Sequence, residues 1–303
     1  VKSRSFFTAA GKIFGKKADE IMKNRAMVSV LFFLLFVVMI FAYEKTETGG
    51  GTIRHAAAPA PPVKKAQMVK KKKAAVKAAD LKMLFKVPCG KDMQGVAYDN
   101  GCYYIGFDLH KSAGSLLCKL NSAGKLISKA VLSLGHCSEI AVNHSNGDLF
   151  VSNGSFNRKA HVYEVDFRNG KKARVVKDIN LSRFGNSALV AVDNSKKYLV
   201  VHTSKNDFST HDFTILRMSD LSVVKRFQIK YQGIPQGLDI SAGRIYFCTD
   251  NKLTVMNDSG KIIRSIRLKE HGENEGIAFA TIKGKQYLVV GYSRPNRLYV
   301  LKY

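Results

Sequence analysis

The 303-residue chain carries 49 Lys and Arg against 23 Asp and Glu, a net charge of +26, with five Cys and no Trp. Such an excess of cations favours an anionic partner, although net charge governs association and solubility rather than one particular site. The thiols show no CxxC or other metal-ligand spacing, and there is no GxSxG elbow, HExxH, P-loop, EF-hand loop or nucleic-acid-binding motif, which sets aside the chemistries that those motifs carry.

Residues 1–25 hold seven cations, Lys2, Arg4, Lys12, Lys16, Lys17, Lys23 and Arg25, against Asp19 and Glu20. Phe6, Phe7, Ala10, Ile13, Phe14 and Ile21 recur among them at roughly helical spacing, which fits either a helix on an anionic leaflet or a disordered basic tail. Residues 26–43 are an uncharged run of 18 residues from Ala26 to Tyr43. That length is at the lower end of a bilayer-spanning helix and predicts a transmembrane segment. A cleaved signal peptide competes, but the run is long for one and no small-x-small site follows it directly. Cations are sparser after the run than before it, with only Lys45 and Arg54 nearby, so the positive-inside bias predicts a signal-anchor with a cytoplasmic N-terminus and an extracytoplasmic remainder.

Residues 44–80 have the composition of a tether: Gly49 to Gly51, three prolines between Ala56 and Pro62, then a Lys/Ala tract with Lys64, Lys65, Lys70 to Lys73 and Lys77. Such a segment buries no core and, extended at about 3.3 Å per residue, reaches about 120 Å. The Lys tract suits an anionic envelope polymer and equally suits a self-repelling spacer.

From Leu81 onward a four-strand unit recurs five times. Each unit opens with a polar lead-in to a short apolar strand: Gln94-Gly95-Val96, Ser138-Glu139-Ile140, Ser187-Ala188-Leu189, Gln236-Gly237-Leu238 and Glu275-Gly276-Ile277, spaced by 44, 49, 49 and 39 residues. That is the length four strands and their turns need, and it predicts an all-β fold, a five-bladed β-propeller over residues 81–303. Second strands are dense in β-branched and aromatic residues, as in Tyr103 to Gly106, Leu149 to Ser152, Tyr198 to Val201, Ile245 to Cys248 and Tyr287 to Val290. Third strands follow near Leu116, His161, Phe213, Lys252 and Arg297. Fourth strands run near Ile127 to Leu132, Arg174 to Ile179, Val223 to Ile229 and Ile262 to Leu268. The fifth unit lacks its own, and Leu81 to Val87, with matching alternation, is expected to supply it and close the ring without an open edge. Residues 1–80 hold 16 basic and 5 acidic residues, which leaves 33 and 18 for the propeller region, so it is basic in its own right.

In a propeller the innermost strands surround a channel, so the lead-ins converge on one mouth. Gln94, Ser138, Ser187, Gln236 and Glu275 are expected there with Glu139 and Glu273, widened by Asp92, His136, Asn186, Tyr231, His271 and Asn274. Convergent amides, hydroxyls and carboxylates suit a polar ligand, and Glu275, Glu139 and His136 are the candidates for acid–base catalysis. Glu273, Glu275 and Glu139 together are also the candidates for calcium; no other cofactor is expected. Cys118 and Cys248 fall within strands as small apolar residues, whereas Cys89 and Cys137 lie in adjacent lead-ins and are the pair expected for any disulfide. Asn143, Asn153, Asn180 and Asn257 open glycosylation-type triplets.

The Gln94-Gly95-Val96-Ala97-Tyr98-Asp99 lead-in, the aromatic second strands and the Asn-x-x-Gly turns resemble extracytoplasmic propellers of the glutamine cyclotransferase, SdiA-regulated and helveticin J type. Where glutamine cyclotransferases carry a glycine-rich stretch, this chain has Gly106-Phe107-Asp108-Leu109-His110. The resemblance and the anchor together imply a membrane-attached binding or interaction module at the cell envelope, for a polar or anionic ligand or peptide. A propeller enzyme, glutaminyl cyclase-like or lactonase-like, and a secreted antibacterial or adhesive propeller are the alternatives. The extracytoplasmic address argues against nucleic acid as a main partner.

Overall fold

The computed structural model describes residues 78–110, 114–155, 158–168, 173–204, 209–269 and 271–301. The chain divides between Lys71 and Lys72, and every described residue belongs to the second unit. The basic tail, the expected transmembrane segment and the tether up to residue 77 lie outside the described residues. Among the described residues no helix is long and apolar enough to cross a membrane.

Twenty strands form five antiparallel four-stranded sheets. Blade one is β2 (Asp92–Asp99), β3 (Cys102–Asp108), β4 (Ser115–Asn121) and β5 (Leu126–Leu132); blade two is β6 (Glu139–Asn143), β7 (Asp148–Ser152), β8 (His161–Asp166) and β9 (Arg174–Asn180). Blade three is β10 (Asn186–Asp193), β11 (Tyr198–Ser204), β12 (Thr210–Arg217) and β13 (Val223–Lys230); blade four is β14 (Pro235–Ser241), β15 (Arg244–Thr249), β16 (Lys252–Met256) and β17 (Ile262–Arg267). Blade five combines β18 (Glu273–Ile282), β19 (Lys285–Ser293) and β20 (Arg297–Leu301) with β1 (Leu81–Lys86) from before blade one. The expected closing strand is therefore present, with Leu81 opposite Leu301 and Lys86 opposite Arg297. Ala79 already bridges to Leu268 of blade four, so ordered pairing begins slightly upstream of the expected boundary.

The innermost strands β2, β6, β10, β14 and β18 contact one another in sequence, and β18 returns to β2, which completes the ring. Five apolar clusters fill the wedges between blades. Between blades three and four, Phe213, Phe227 and Phe247 pack with His202 and His211. Burying a side chain of that size contributes about 1.5–3 kcal/mol. Outer strands are exposed on both sides, as their paired apolar residues Val175-Val176 and Ile262-Ile263 show.

Polar side chains stitch neighbouring blades. Tyr98 Oη donates to Thr281 O (2.7 Å), Ser138 Oγ to Ala188 O (2.8 Å) and Asn194 Nδ2 to Val142 O (3.0 Å), while Asp239 Oδ2 accepts from Phe279 N (2.7 Å). The glycosylation-type triplets at Asn143 and Asn257 have a local structural role: each Asn Oδ1 accepts from the backbone N–H and the hydroxyl of the Ser two residues on, closing an Asx turn.

The expected Cys89–Cys137 disulfide does not form, and all five cysteines are free. Cys137 Sγ sits under Gly106, while Cys89 packs against the cluster between blades five and one that also buries Cys118.

Candidate functional site

Strand direction decides what shares a mouth. Each innermost strand starts at one face of the ring and each second strand returns to it, so Asp92 at the start of β2 pairs with Asp108 at the end of β3. The lead-ins and the loops between second and third strands therefore meet. They enclose a cavity of 280 Å³ lined by Gln94, His110, His136, Ser138, Ser155, Ser187, Leu189, Ile234, Pro235, Gln236, Glu273, Glu275 and Arg294.

A chain of charge pairs runs along one wall. Arg294 Nε donates to Asp92 Oδ1 (3.1 Å), and its Nη1 lies 3.7 Å from Glu273 Oε2. His110 bridges Asp92 (2.6 Å) and Asp108 (3.1 Å), and Asp108 also takes His136 Nδ1 at 2.5 Å. The hydrogen bond from His110, then Arg294, holds the Asp92 carboxyl below the usual carboxylate range. Glu275 stands on the opposite balance. It is only 5% exposed, and burial followed by repulsion from Glu273 raises its pKa well above the ordinary value, against the pull of Arg294. Gln236, with its amide turned to satisfy both ends, donates to Glu275 Oε2 at 3.1 Å. Glu275 is thus a carboxyl favoured in its neutral form, able to donate as well as accept.

Of the residues expected at the mouth, Gln94, His136, Ser138, Ser187, Gln236, Glu273 and Glu275 line the cavity. Ser138 is partly committed, since its hydroxyl ties blade two to blade three. Asp92 stands behind His110 and Arg294. Glu139 is the correction that matters most: it is wholly buried and absent from the cavity wall. Its Oε1 accepts from Val96 N (3.2 Å) and Ile140 N (3.1 Å), and its Oε2 from Leu238 N (2.7 Å). These bonds draw blades one, two and four together, away from the cavity wall. Asn274 likewise faces inward, donating to Cys248 Sγ (2.8 Å) and accepting from Asn251 N. His271 stacks on Tyr299 and Tyr231 on His211, and neither lines the cavity, nor does Asn186. Among the described residues no group of three or more His, Cys, Asp or Glu is arranged to hold a metal ion, and both Glu139 oxygens are taken by backbone N–H groups.

His110, Ser155 and Arg294 were not expected at the mouth. Lead-ins alone do not reveal them. They belong to the loops joining second to third strands, and the strand directions of a propeller are enough to bring those loops to the same face.

Directly below this cavity the channel shuts. A Cβ at Gly95 would lie 2.7 Å from Glu139 Cα, and one at Gly276 (φ +70°) would lie 2.6 Å from Val96 N, so the inner strands touch backbone to backbone. On the far side a second chamber of 550 Å³ opens, lined by inner-strand residues including Tyr98, Val142, Asn194, Asp239 and Phe279. Burial raises the Asp239 carboxyl to about 7, against the N–H groups of Phe279 and Ile240 that donate to it.

No family model matches the sequence, and no curated protein matches it closely enough to establish a relationship. Solved structures do share its shape. An exo-β-1,3-galactanase from Clostridium thermocellum superposes with a TM-score of 0.52 at 11% identity, over 75% of this chain and 63% of that one. An exo-β-1,3-galactanase from Phanerochaete chrysosporium gives 0.50 at 9% identity, over 72% and 62%. A gluconolactonase from Xanthomonas campestris gives 0.46 at 12% identity, over 74% and 89%. Five four-stranded sheets closed into a ring make the protein a β-propeller; at such identities the two galactanase likenesses speak to fold alone.

Proposed function

We propose that the protein is a binding module whose channel mouth takes a small polar ligand without net negative charge, displayed outside the membrane by the segment 26–43. One observation carries the choice of ligand. The mouth gathers two amides, three hydroxyls, two imidazoles and the neutral-leaning Glu275 around 280 Å³, while its one cation, Arg294, is already matched by Asp92 and Glu273. Hydroxyl or amide groups of a ligand find both donors and acceptors there, whereas an anion meets Glu273, with Asp92 close behind Arg294. Association with an anionic envelope polymer belongs to the Lys-rich residues 64–77 and to the basic outer strands, and is screened by salt.

A second reading has its own support. Glu275, a buried acid, and His136, whose Nδ1 is held by Asp108, line one cavity, which is the equipment of acid–base catalysis.

The test is a thermal-shift screen of the whole chain against neutral sugars, peptides with an N-terminal glutamine, calcium and polyanions at low and moderate salt. Binding to the folded state raises the melting temperature. The mouth reading expects a salt-insensitive shift with one uncharged ligand, lost in Glu275→Ala and retained in Glu275→Gln. A shift with polyanions alone, abolished by salt, counts against it. Turnover of the ligand that Glu275→Gln and His136→Ala both abolish selects the enzyme reading.

A further inference from the structure

The chamber on the far side of the seal has the opposite charge balance from the mouth. At the mouth a cation, Arg294, is matched by carboxylates. The far chamber, 550 Å³ in volume, has Asp99 and Asp239 in its wall and neither Lys nor Arg. In so basic a chain that is a local reversal of charge. Lys283 and Lys285 sit in the turn beside the chamber, yet they are not in the wall, where Thr281 and Gln286 stand.

Strand positions set the depth of each group. Asp239 follows Leu238, whose N–H bonds to the sealing Glu139, so it stands near the closed end. Asn100, His144 and Asn194 follow the last residues of β2, β6 and β10, and Gln286 lies at the start of β19, so these four ring the open end.

The two carboxylates of the wall are not equivalent. Asp99 is answered by His144 Nδ1 (2.7 Å) and by Asn100 Nδ2 (2.9 Å). Asp239 has the backbone N–H groups of Ile240 and Phe279 as partners, each at 2.7 Å, and among the described residues it forms no ion pair. A carboxylate offers about four acceptor sites, so each Asp239 oxygen keeps one for a group in the chamber. Phe279 turns its N–H to this carboxyl, and in an antiparallel strand the carbonyl of the same residue lies on the same edge. Acceptors therefore gather at the closed end without a charged donor to meet them.

We propose that the far chamber binds a protonated primary amine, with its ammonium group against Asp239 and the rest of the molecule toward Asn100, His144, Asn194 and Gln286. An ammonium carries three N–H donors, enough for both Asp239 oxygens and one carbonyl. It also supplies the charge that the site lacks: burial alone raises Asp239 to about 7, and a cation beside it favours the carboxylate. The volume falls within the range of about 300–1,000 Å³ usual for small-molecule pockets, so it admits a body larger than the ammonium group itself. The seal separates this chamber from the mouth, so occupation of one does not require the other.

The experiment titrates the whole chain with ethanolamine, tyramine and tryptamine at about pH 8 and moderate salt, where all three are protonated and free Asp239 is largely ionised. Each is paired with its N-acetyl derivative, which keeps the body and removes the charge, and calorimetry and thermal shift read binding. At least one amine should bind, with its acetylated partner weaker by about tenfold or more. Asp239→Asn should weaken the amine to a similar degree. Gln286→Lys, which places a cation at the open end and leaves the Asp239 bonds intact, should weaken it as well, and it decides the matter where Asp239→Asn fails to fold. The proposal is overturned if no amine binds more tightly than its acetylated form, or if binding is unchanged in the folded variants. An amine shift lost in Glu273→Gln and retained in Asp239→Asn would place the amine at the mouth and overturn it equally.

Discussion

Glu139 Oε2 accepts a 2.7 Å hydrogen bond from the backbone N–H of Leu238, a residue 99 positions further along the chain. The bond crosses the axis of the ring. It is made in the space that Gly95, Gly237 and Gly276 leave, because blades one, four and five carry glycine where blade two carries Glu139. One carboxylate and three glycines thereby seal the channel between its two chambers.

Removing that carboxylate should loosen the whole ring. Glu139→Ala strands the N–H groups of Val96, Ile140 and Leu238 in a place water cannot reach, and each buried orphan costs about 1–3 kcal/mol. Urea unfolding is expected to show a loss of about 3 kcal/mol or more. Glu139→Gln keeps one acceptor oxygen but turns an amide N–H toward a donor, so its loss should be smaller. An alanine variant with wild-type stability would show that the three bonds are dispensable.

The architecture was legible because propeller blades repeat. Lead-ins, second strands and the closing strand at Leu81 all follow from spacing and alternation, and the observed strands agree to within a few residues. The site was legible in part. Gln94, Gln236 and Glu275 reach the mouth as their position at the start of each inner strand suggests, but Glu139 occupies the next position, where its side chain turns inward between the blades. Reading Ser138-Glu139 in register with Gln94-Gly95 and Gln236-Gly237 exposes the difference: Glu139 aligns with glycines, and Ser138 with the mouth residues.

The neutral preference of Glu275 should appear in stability as well as in binding. Its folded pKa is raised, so the folded state holds a proton that the unfolded chain gives up above about 4.5. Stability therefore declines as pH rises above the unfolded value. Glu275→Gln keeps the shape and removes the ionisation, and should match wild type near pH 4 while exceeding it near pH 8. Guanidinium unfolding at the two pH values checks this. Equal stability at both would show that Glu275 is ionised in the fold.

The imidazole pair of blade three predicts the opposite slope. His202 is fully buried, and its Nε2 lies 3.0 Å from His211 Nδ1; Gln232 N donates to His211 Nε2, which fixes the His211 proton on Nδ1. Burial lowers His202 well below its ordinary value and His211 to about 4. The unfolded chain takes up protons near 6.5 that the fold refuses, so stability falls as pH drops from about 6.5 toward 4. For His211 alone the full loss is on the order of 3 kcal/mol. Replacing both with Phe, which suits the ring cluster of Phe213 and Phe247, should flatten the acid limb of the melting curve. An unchanged limb would place the acid sensitivity elsewhere.

Asp239 and the histidines oppose one another across the same pH window, which makes the wild-type profile a difference of two terms. Asp239 is raised to about 7 by burial, so between about 3.8 and 7 the fold keeps its proton and stability declines with rising pH. Over the lower part of that range the histidine pair makes stability rise with pH, and the two slopes partly cancel. Asp239→Asn removes the declining term. Its Oδ1 still accepts from Ile240 N, but an amide N–H then faces Phe279 N, so the variant should be less stable at every pH. The decisive quantity is the shape of the curve rather than its height. The variant should lose stability more steeply than wild type on acidification from pH 6.5 to 4.5, measured as melting temperature against pH. A variant curve parallel to wild type would mean that Asp239 titrates alike in the folded and unfolded chain, and that its contact with Phe279 is made by a carboxylate throughout.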